Sequence, residues 1–331
     1  MNAAVGTPER ILVVALDNVG DVVFTSALTP PLHHAFPDAR IDVWSRAYTA
    51  AIAGLIPHVT TVIAADPFWA VPPNESRPPM LPFLRSVRAV ARNSYDVAIV
   101  TEAPWRAAAA VAATGIPIRI GPRRRRNTHL LTHVLPAENP RRPVLQEQAR
   151  LLSALGVRVA RPRYRLDESR LAGPRADVAN RLGARFAAFH PFARERGRCV
   201  ALSEWTQLAF ALHARGCPVL WVGTTQELNE IRRLHNPPHG FYADQLPDAS
   251  LRATAAALSL ATLFVGHDSG PLHIAGAFGV PVVGVFAPGQ PDRTFPQGLG
   301  PWRIIARPSP EGITAGSILR EIDALDLAST S

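Results

Sequence analysis

The sequence predicts an α/β protein built from two Rossmann-like domains, each a doubly wound parallel sheet, facing across a cleft. Three observations carry this expectation. Continuous apolar runs rich in β-branched residues, such as ILVVAL at 11–16, suit strands buried on both faces. Helical patterns alternate with such runs in both halves of the chain, the order that builds parallel sheets. A length of 331 residues is enough for two hydrophobic cores.

The strand at 11–16 leads into Asp17-Asn18-Val19-Gly20-Asp21, the first strand-to-helix loop, and a helix is predicted over 22–36, closed by Pro37-Asp38. A strand at 40–44, a short helix at 48–55 and a strand at 59–64 complete one βαβαβ unit. From 66 to 82 the chain is rich in proline and aromatic residues, which reads either as an insertion or as a lid over a binding site. A helix at 84–92, a strand at 97–101, a helix at 105–114, a strand at 118–120 and a helix at 146–155, stopped by Gly156, follow. The segment 158–174 reads as a linker. Beyond it, strands are predicted at 185–190, 218–222, 263–265 and 282–286, with helices at 204–215, 226–235, 251–260, 271–278 and 318–327.

Composition narrows the class. At 47% hydrophobic and 18% charged residues the chain has a globular make-up. The first ten residues carry no signal-peptide core and uncharged apolar runs such as 253–266 are too short to span a bilayer, so a cytoplasmic protein is expected. Two cysteines, Cys199 and Cys217, offer neither a disulfide framework nor metal-ligand spacing. The net charge is +9, and all 35 Lys-or-Arg positions are arginine. A phosphate contact that would otherwise use lysine must here use a guanidinium, which can bind bidentately. The basic balance points to an acidic partner: an anionic membrane surface, a phosphorylated glycan or nucleic acid. The run Arg123-Arg124-Arg125-Arg126 reads either as a solvated loop or as a contact for an anionic substrate or membrane, and the absence of interleaved aromatic residues argues against nucleic acid.

Two loops could carry chemistry. In Gly266-His267-Asp268-Ser269-Gly270-Pro271, an apolar strand runs through a polar loop into a helix, with Gly270 free to adopt a positive φ and Pro271 suited to a first helical position. Bare N–H groups, the Ser269 hydroxyl and the helix dipole would suit a phosphate or diphosphate. The alternative is an ordinary turn in which Asp268 and Ser269 only cap the helix. The first loop, at 17–21, lacks G-x-G-x-x-G and the spaced acid of a ribose site, so a dinucleotide dehydrogenase is poorly supported. There Asp21 reads either as a first-turn acid complementing the helix dipole or as a general base for a hydroxyl proton.

The same residues carry a resemblance. Asp17-Asn18-Val19-Gly20-Asp21-Val22-Val23, with Pro30 and Phe36-Pro37-Asp38-Ala39-Arg40-Ile41-Asp42, resembles the opening of the lipopolysaccharide heptosyltransferases of glycosyltransferase family 9. Asp268-Ser269-Gly270-Pro271-Leu272-His273-Ile274-Ala275 through Gly279-Val280-Pro281, then Phe286 to Arg293, resembles that family's C-terminal signature. The resemblance implies a GT-B architecture: an acceptor domain over 1–165, a nucleotide-sugar domain over 175–310, and a closing helical segment over 311–331 that returns toward the first domain. It implies an inverting, metal-independent transfer of a heptose or related sugar from a nucleotide diphosphate, ADP-heptose in the favoured reading, to a hydroxyl of the lipopolysaccharide inner core. The nucleotide-sugar is then a substrate and no cofactor is implied. The expected partners are that donor and an anionic glycan or lipid-linked acceptor at the cytoplasmic face of the inner membrane, with no nucleic acid.

Carried over by position, the resemblance implies that Asp21 is the catalytic base and that Arg198 takes the place of the family's lysine near the diphosphate, with Arg194 and Arg196 as the alternatives if the loop is shifted. Asp268, Ser269 and Gly270 fall at the donor sugar and diphosphate, with His273 close by, and Glu227, next to Thr224, falls at the nucleotide ribose, although a glutamate at a helix start can equally be a dipole partner. Asp17, Asn18, Arg123 and Arg124 are the candidate acceptor-binding residues. Asp17 and Asn18 stand where the family has small hydroxyl residues. A carboxylate this near Asp21 would raise one pKa and either sharpen the base or recognise a cationic acceptor group. Cys199-Val200-Ala201 replaces the tryptophan that follows the family's lysine. The rival readings are a family 9 transferase for a protein or secondary-metabolite acceptor, a non-hydrolysing nucleotide-sugar epimerase on the same fold, and a non-catalytic nucleotide-sugar binding protein.

Overall fold

The computed structural model describes residues 6–70, 76–183, 185–234, 240–246 and 250–325. The chain divides into two compact units, Met1–Tyr164 and Arg165–Ser331. In the first, β1 (Arg10–Ala15), β2 (Arg40–Ser45), β3 (Val59–Ala64), β4 (Val97–Val100), β5 (Ile118–Pro122) and β6 (His133–Leu135) form one sheet in the order β3-β2-β1-β4-β5-β6, parallel throughout. β4 is wholly buried, and in β1 only Arg10 is exposed, as expected for strands covered by helices on both faces. Trp44 stacks on Phe83 at 5.4 Å, and Trp69 meets Phe83 edge-on at 4.8 Å.

The second unit repeats the plan. Here β7 (Ala187–His190), β8 (Val219–Trp221), β9 (Gly240–Tyr242), β10 (Leu263–His267), β11 (Val282–Phe286) and β12 (Trp302–Ala306) lie in the order β12-β11-β10-β7-β8-β9, again parallel. Numbered from its own first strand, this is the order of the first unit. Phe189 packs edge-on against Trp205 at 5.7 Å and Trp221 at 5.5 Å.

Several elements differ from the sequence reading for local reasons. The single helix expected over 22–36 is two, Val19–Thr25 and Thr29–Ala35. The Thr25 and Ser26 hydroxyls donate back to the carbonyls of Asp21 and Val23, at 2.9 and 2.6 Å, and Pro30 and Pro31 have no N–H to continue the ladder. The linker expected over 158–174 contains a 3₁₀ turn, Glu168–Leu171, and the start of a helix, Ala172–Leu182. Gly173 and Pro174 fall in its first turn, where a missing N–H costs no hydrogen bond. Of the stretch 66–82, read as an insertion or a lid, residues 71–75 lie outside the described residues, and Phe68 and Trp69 pack against the core of the first unit. The last helix, Ala315–Asp323, is seated in the second unit by buried Ile318 and Ile322, and the predicted extension to 326–327 lies outside the described residues.

Candidate functional site

In a sheet of this order the chain runs outward in opposite directions from a central strand pair, so the loops that leave that pair diverge and open a crevice at its carboxyl ends. The central pair is β1 and β4 in the first unit and β10 and β7 in the second. The candidate residues gather at these two points.

In the first unit, β1 runs into Asp17 and Asn18, and the helix Val19–Thr25 begins. Asp21 occupies the third helical position, where its Oδ2 accepts the Asn18 backbone N–H at 3.2 Å, so its role as a dipole partner is filled. Tyr48 donates its hydroxyl to Asn18 Oδ1 at 3.2 Å. Asp17 sits deeper. Burial, and then the charge of Asp21, push its carboxyl up to about 6, against the pull of Arg46 and Arg124.

A residue the sequence reading did not single out, Glu102, enters from β4. Burial first, then Glu138, Asp21 and Asp17, push its carboxyl up to about 8, although Arg124 lies beside it. Its one sequence signal is position: it follows a buried parallel strand by two residues, where such folds carry their ligands. Arg124 is drawn inward from the arginine run. Its Nη2 lies 2.8 Å from Glu102 Oε2 and 3.1 Å from Glu138 Oε2, and its Nε donates to the Glu102 carbonyl at 3.2 Å. Arg124 therefore clasps the carboxyl groups of Glu102 and Glu138, which a purely solvated loop, one of the two readings of the run, would not do. Arg123 stays exposed, its backbone N–H bonded to the Leu135 carbonyl at 2.8 Å. Asp17 and Glu102 line a cavity of about 200 Å³ together with Trp69, Trp105 and Arg106.

In the second unit, β10 ends at His267 and the helix Gly270–Ala277 follows, with Ser269 at its N-cap. No side chain caps this helix. The Ser269 hydroxyl instead donates to the His267 carbonyl and lies 3.0 Å from His190 Nδ1 at the end of β7. The reading of Ser269 as a simple cap therefore fails, and the helix dipole at this end is left without a bond from the Ser269 hydroxyl. Gly270 is the first helical residue and is not among the glycines of positive φ, so its expected left-handed freedom is not used. Gly266 has a different duty: a Cβ there would come within 3.0 Å of the His190 carbonyl, so the close pairing of β7 and β10 beneath the site needs glycine.

Burial pushes both His190 and His267 down to about 4, His267 also through the neighbouring His190. Both are neutral at pH 7. The Val200 N–H donates to His267 Nε2 at 3.1 Å, which pins the loop 191–200 to the site. Asp268 is held from two sides, by the Thr294 hydroxyl at 3.0 Å and by His273 Nε2 at 3.4 Å. It shares a cavity of about 290 Å³ with Arg198, Gly289 and Thr294.

The three arginines of the loop separate by their partners. Arg196 makes a bidentate pair with Glu230, at 2.6 and 2.9 Å, and lies over the Phe192 ring at 5.2 Å. Arg194 is exposed and lines a smaller pocket beside Asp268. Arg198, with Glu195 at 3.0 Å, lines both pockets that contain Asp268. Glu227 completes a capping box: its Oε2 accepts from the Thr224 N–H at 2.8 Å and from the Thr224 hydroxyl at 3.0 Å. Gly223 leaves room for that return, since a Cβ there would meet Glu227 Oε2 at 3.2 Å. A roomier cavity of about 670 Å³ lies at the opposite, amino end of this sheet, beside Arg185, Cys217 and Pro281. Among the described residues no three His, Cys, Asp or Glu side chains form a group that could hold a metal ion, and no helix is long and apolar enough to cross a membrane.

Comparison with known proteins places this architecture. A family model described as "Glycosyltransferase family 9 (heptosyltransferase)" matches residues 83–303. Lipopolysaccharide heptosyltransferase 3 of Escherichia coli is 24% identical over 294 residues, 83% of this chain and 82% of that protein. Among solved structures, a family 9 glycosyl transferase from Veillonella parvula superposes with a TM-score of 0.79 at 16% identity, over 97% of this chain and 98% of that one. E. coli ADP-heptose lps heptosyltransferase II superposes with a TM-score of 0.77 at 21% identity, over 97% and 100%. These superpositions show the same GT-B fold.

Proposed function

The chain belongs to glycosyltransferase family 9, and from that premise we propose that it transfers a heptose, or a closely related sugar, from ADP-heptose to a hydroxyl of a lipopolysaccharide inner-core acceptor. The names of its relatives, a lipopolysaccharide heptosyltransferase and an ADP-heptose heptosyltransferase, support this choice of donor and acceptor. The observation that carries it is the uncapped N-terminus of Gly270–Ala277, set beside Arg198 and Asp268. An uncapped helix end and a guanidinium are the groups a diphosphate needs.

In the proposed reaction the acceptor oxygen attacks the anomeric carbon from the face opposite the diphosphate, so the configuration inverts. Asp21 takes the hydroxyl proton as the new C–O bond forms, and the old C–O bond breaks with its electron pair leaving on the nucleoside diphosphate. Arg198 and the helix N–H groups stabilise that charge with no metal ion required. Ser269, oriented by neutral His190, stands at the same helix end. Asp268 and His273 are assigned to the donor sugar, and Glu227, through the carboxylate oxygen that the capping box leaves over, to the ribose.

We assign the chain to the cytoplasmic face of the inner membrane. On the helix Met80–Arg92, Met80, Leu81 and Leu84 are exposed, Arg85, Arg88 and Arg92 are exposed as well, and the helix carries no acidic residue. Exposed apolar side chains among arginines fit an anionic lipid surface.

Replacing Asp21 by asparagine tests the mechanism. Transfer from ADP-heptose should fall by about 10³-fold or more while ADP still binds. Transfer at the wild-type rate would remove Asp21 from the role of base.

A further inference from the structure

A cavity of about 340 Å³ in the first unit shares no residue with the one at the β1–β4 crevice, and the sugar-transfer reaction gives it no task. We propose that it is a binding site for a phosphate monoester or free phosphate, held by the guanidiniums of Arg142, Arg150 and Arg158. The proposal goes beyond the sugar-transfer reading and does not depend on it.

A reversal of the chain builds this cavity. The helix Val144–Ala149 continues as the 3₁₀ helix Arg150–Leu155, and Gly156, at a φ of 77°, ends it in the left-handed region. The Gly156 N–H donates to the Ser153 carbonyl and the Val157 N–H to the Leu152 carbonyl, both at 3.1 Å, and the segment 157–160 then forms one wall. Gln146, Ala149, Arg150 and Ser153, at the spacing that shares a helix face, form the other. The charge is one-sided. Between Asn139 and Arg165 the chain carries seven arginines and one acid, Glu147. That acid is buried and already partnered: its Oε2 accepts Arg150 Nη2 at 2.8 Å and the Asn139 N–H at 3.2 Å, while Arg142 Nη1 lies 3.9 Å from Oε1, too far for a hydrogen bond. Arg158 is exposed, lines the cavity and makes no ion pair among the described residues. Three guanidiniums against one carboxylate leave two positive charges, which a dianion balances. Arg150 adds a second pointer. Its Nη2 also donates to the Pro136 carbonyl at 3.0 Å, which fixes the guanidinium plane, yet its Nε is buried with no hydrogen-bond partner. A buried N–H without an acceptor is unfavourable, and an anionic oxygen relieves it. A phosphate fits better than a carboxylate because it brings two charges and three oxygens to three forked donors. Gln146 and Ser153, on the same wall, can meet hydroxyls of a sugar that carries the phosphate.

The test titrates inorganic phosphate into the full chain at low salt, with excess ADP present to compete at the second unit's helix end, and follows the arginine Nε–H resonances of ¹⁵N-labelled protein. At pH 8, where phosphate is a dianion, the expected result is saturable binding with a Kd of about 1 mM and a shift of the Arg150 resonance. Arg158→Gln and Arg142→Gln, each a change to an exposed side chain that should leave the melting temperature unaltered, should raise that Kd about tenfold. Arg125→Gln, outside the cavity, should leave it unchanged. At pH 5, where phosphate is a monoanion, binding should weaken about tenfold. Glucose 6-phosphate and glucose separate the sources: tighter binding of the sugar phosphate than of inorganic phosphate assigns the site to a phosphorylated sugar, and equal binding assigns it to the free ion. Absence of saturable binding up to about 20 mM overturns the proposal. So does a Kd that neither Arg158→Gln nor Arg142→Gln alters, or glucose binding as tightly as its phosphate.

Discussion

The two units share one strand order and differ in what they place at the point where that order reverses. In the first, the crevice between β1 and β4 gathers Asp17, Asp21, Glu102 and Glu138 near Arg124 and Arg46, and burial pushes the carboxyls of Asp17 and Glu102 up, to about 6 and about 8. In the second, the crevice between β10 and β7 presents an uncapped helix end, two neutral histidines and Arg198. On the function proposed above, the same scaffold makes one edge that accepts a proton and one that holds negative charge. The contrast teaches that topology fixes where a site lies, while the residues one or two steps past each strand decide its chemistry.

The largest effect on the second crevice should come from Arg198. Arg198→Ala should lower kcat/KM for ADP-heptose by about 10²–10³, the scale of losing one preorganised donor to a developing anion. Arg196→Ala, whose guanidinium is spent on Glu230, should lower it far less. Steady-state kinetics of both variants decide between them, and an equal loss would mean that the loop positions its arginines jointly.

The next effect concerns the surface of the first unit. Replacing Arg85, Arg88 and Arg92 together by glutamine should weaken binding to vesicles rich in anionic lipid by about 10²-fold, at about 1 kcal/mol per arginine. Co-sedimentation at low and high salt checks this, and unchanged binding would remove the helix Met80–Arg92 from the membrane contact.

A smaller effect separates the two crevices by pH. The folded pKa of Glu102 is raised above its ordinary value, so the folded state binds more protons and stability falls as pH rises from about 4.5 through about 8. Glu102→Gln removes that loss. Relative to wild type, its melting temperature should rise across this window by roughly 2–8 °C, corresponding to about 1–2 kcal/mol. A constant difference between pH 5 and pH 9 would show that Glu102 is not held in its protonated form by the fold.

How much of this could be read from the amino acids depends on burial. The central strands were legible because burial on both faces demands an unbroken apolar run, as in Val282–Phe286, which the structure reproduces. The strands left unread, β6, β9 and β12, are all at sheet edges, where short, half-exposed segments such as His133–Leu135 need no such run. The helix Ala172–Leu182 was hidden because Gly173 and Pro174 look like breakers unless the start of the helix is already known. At the site, Asp17, Asp21, Asp268 and Ser269 stood out because each lies in a polar loop directly after a long apolar strand. Glu102 did not, since Thr101-Glu102-Ala103-Pro104 has no motif and its importance arises only when β4 is found beside β1. The partners of the arginines were invisible for the same reason: Arg124 meets Glu102 and Arg196 meets Glu230 across 22 and 34 residues of chain.

The proposed function divides the labour between the two crevices, and titration of ADP into wild type, Asp21→Asn and Arg198→Ala by calorimetry measures that division directly. The predicted result is an unchanged Kd for Asp21→Asn and a Kd raised about tenfold or more for Arg198→Ala. If Asp21→Asn weakens ADP as much as Arg198→Ala does, or if Arg198→Ala binds ADP as wild type does, the division is wrong.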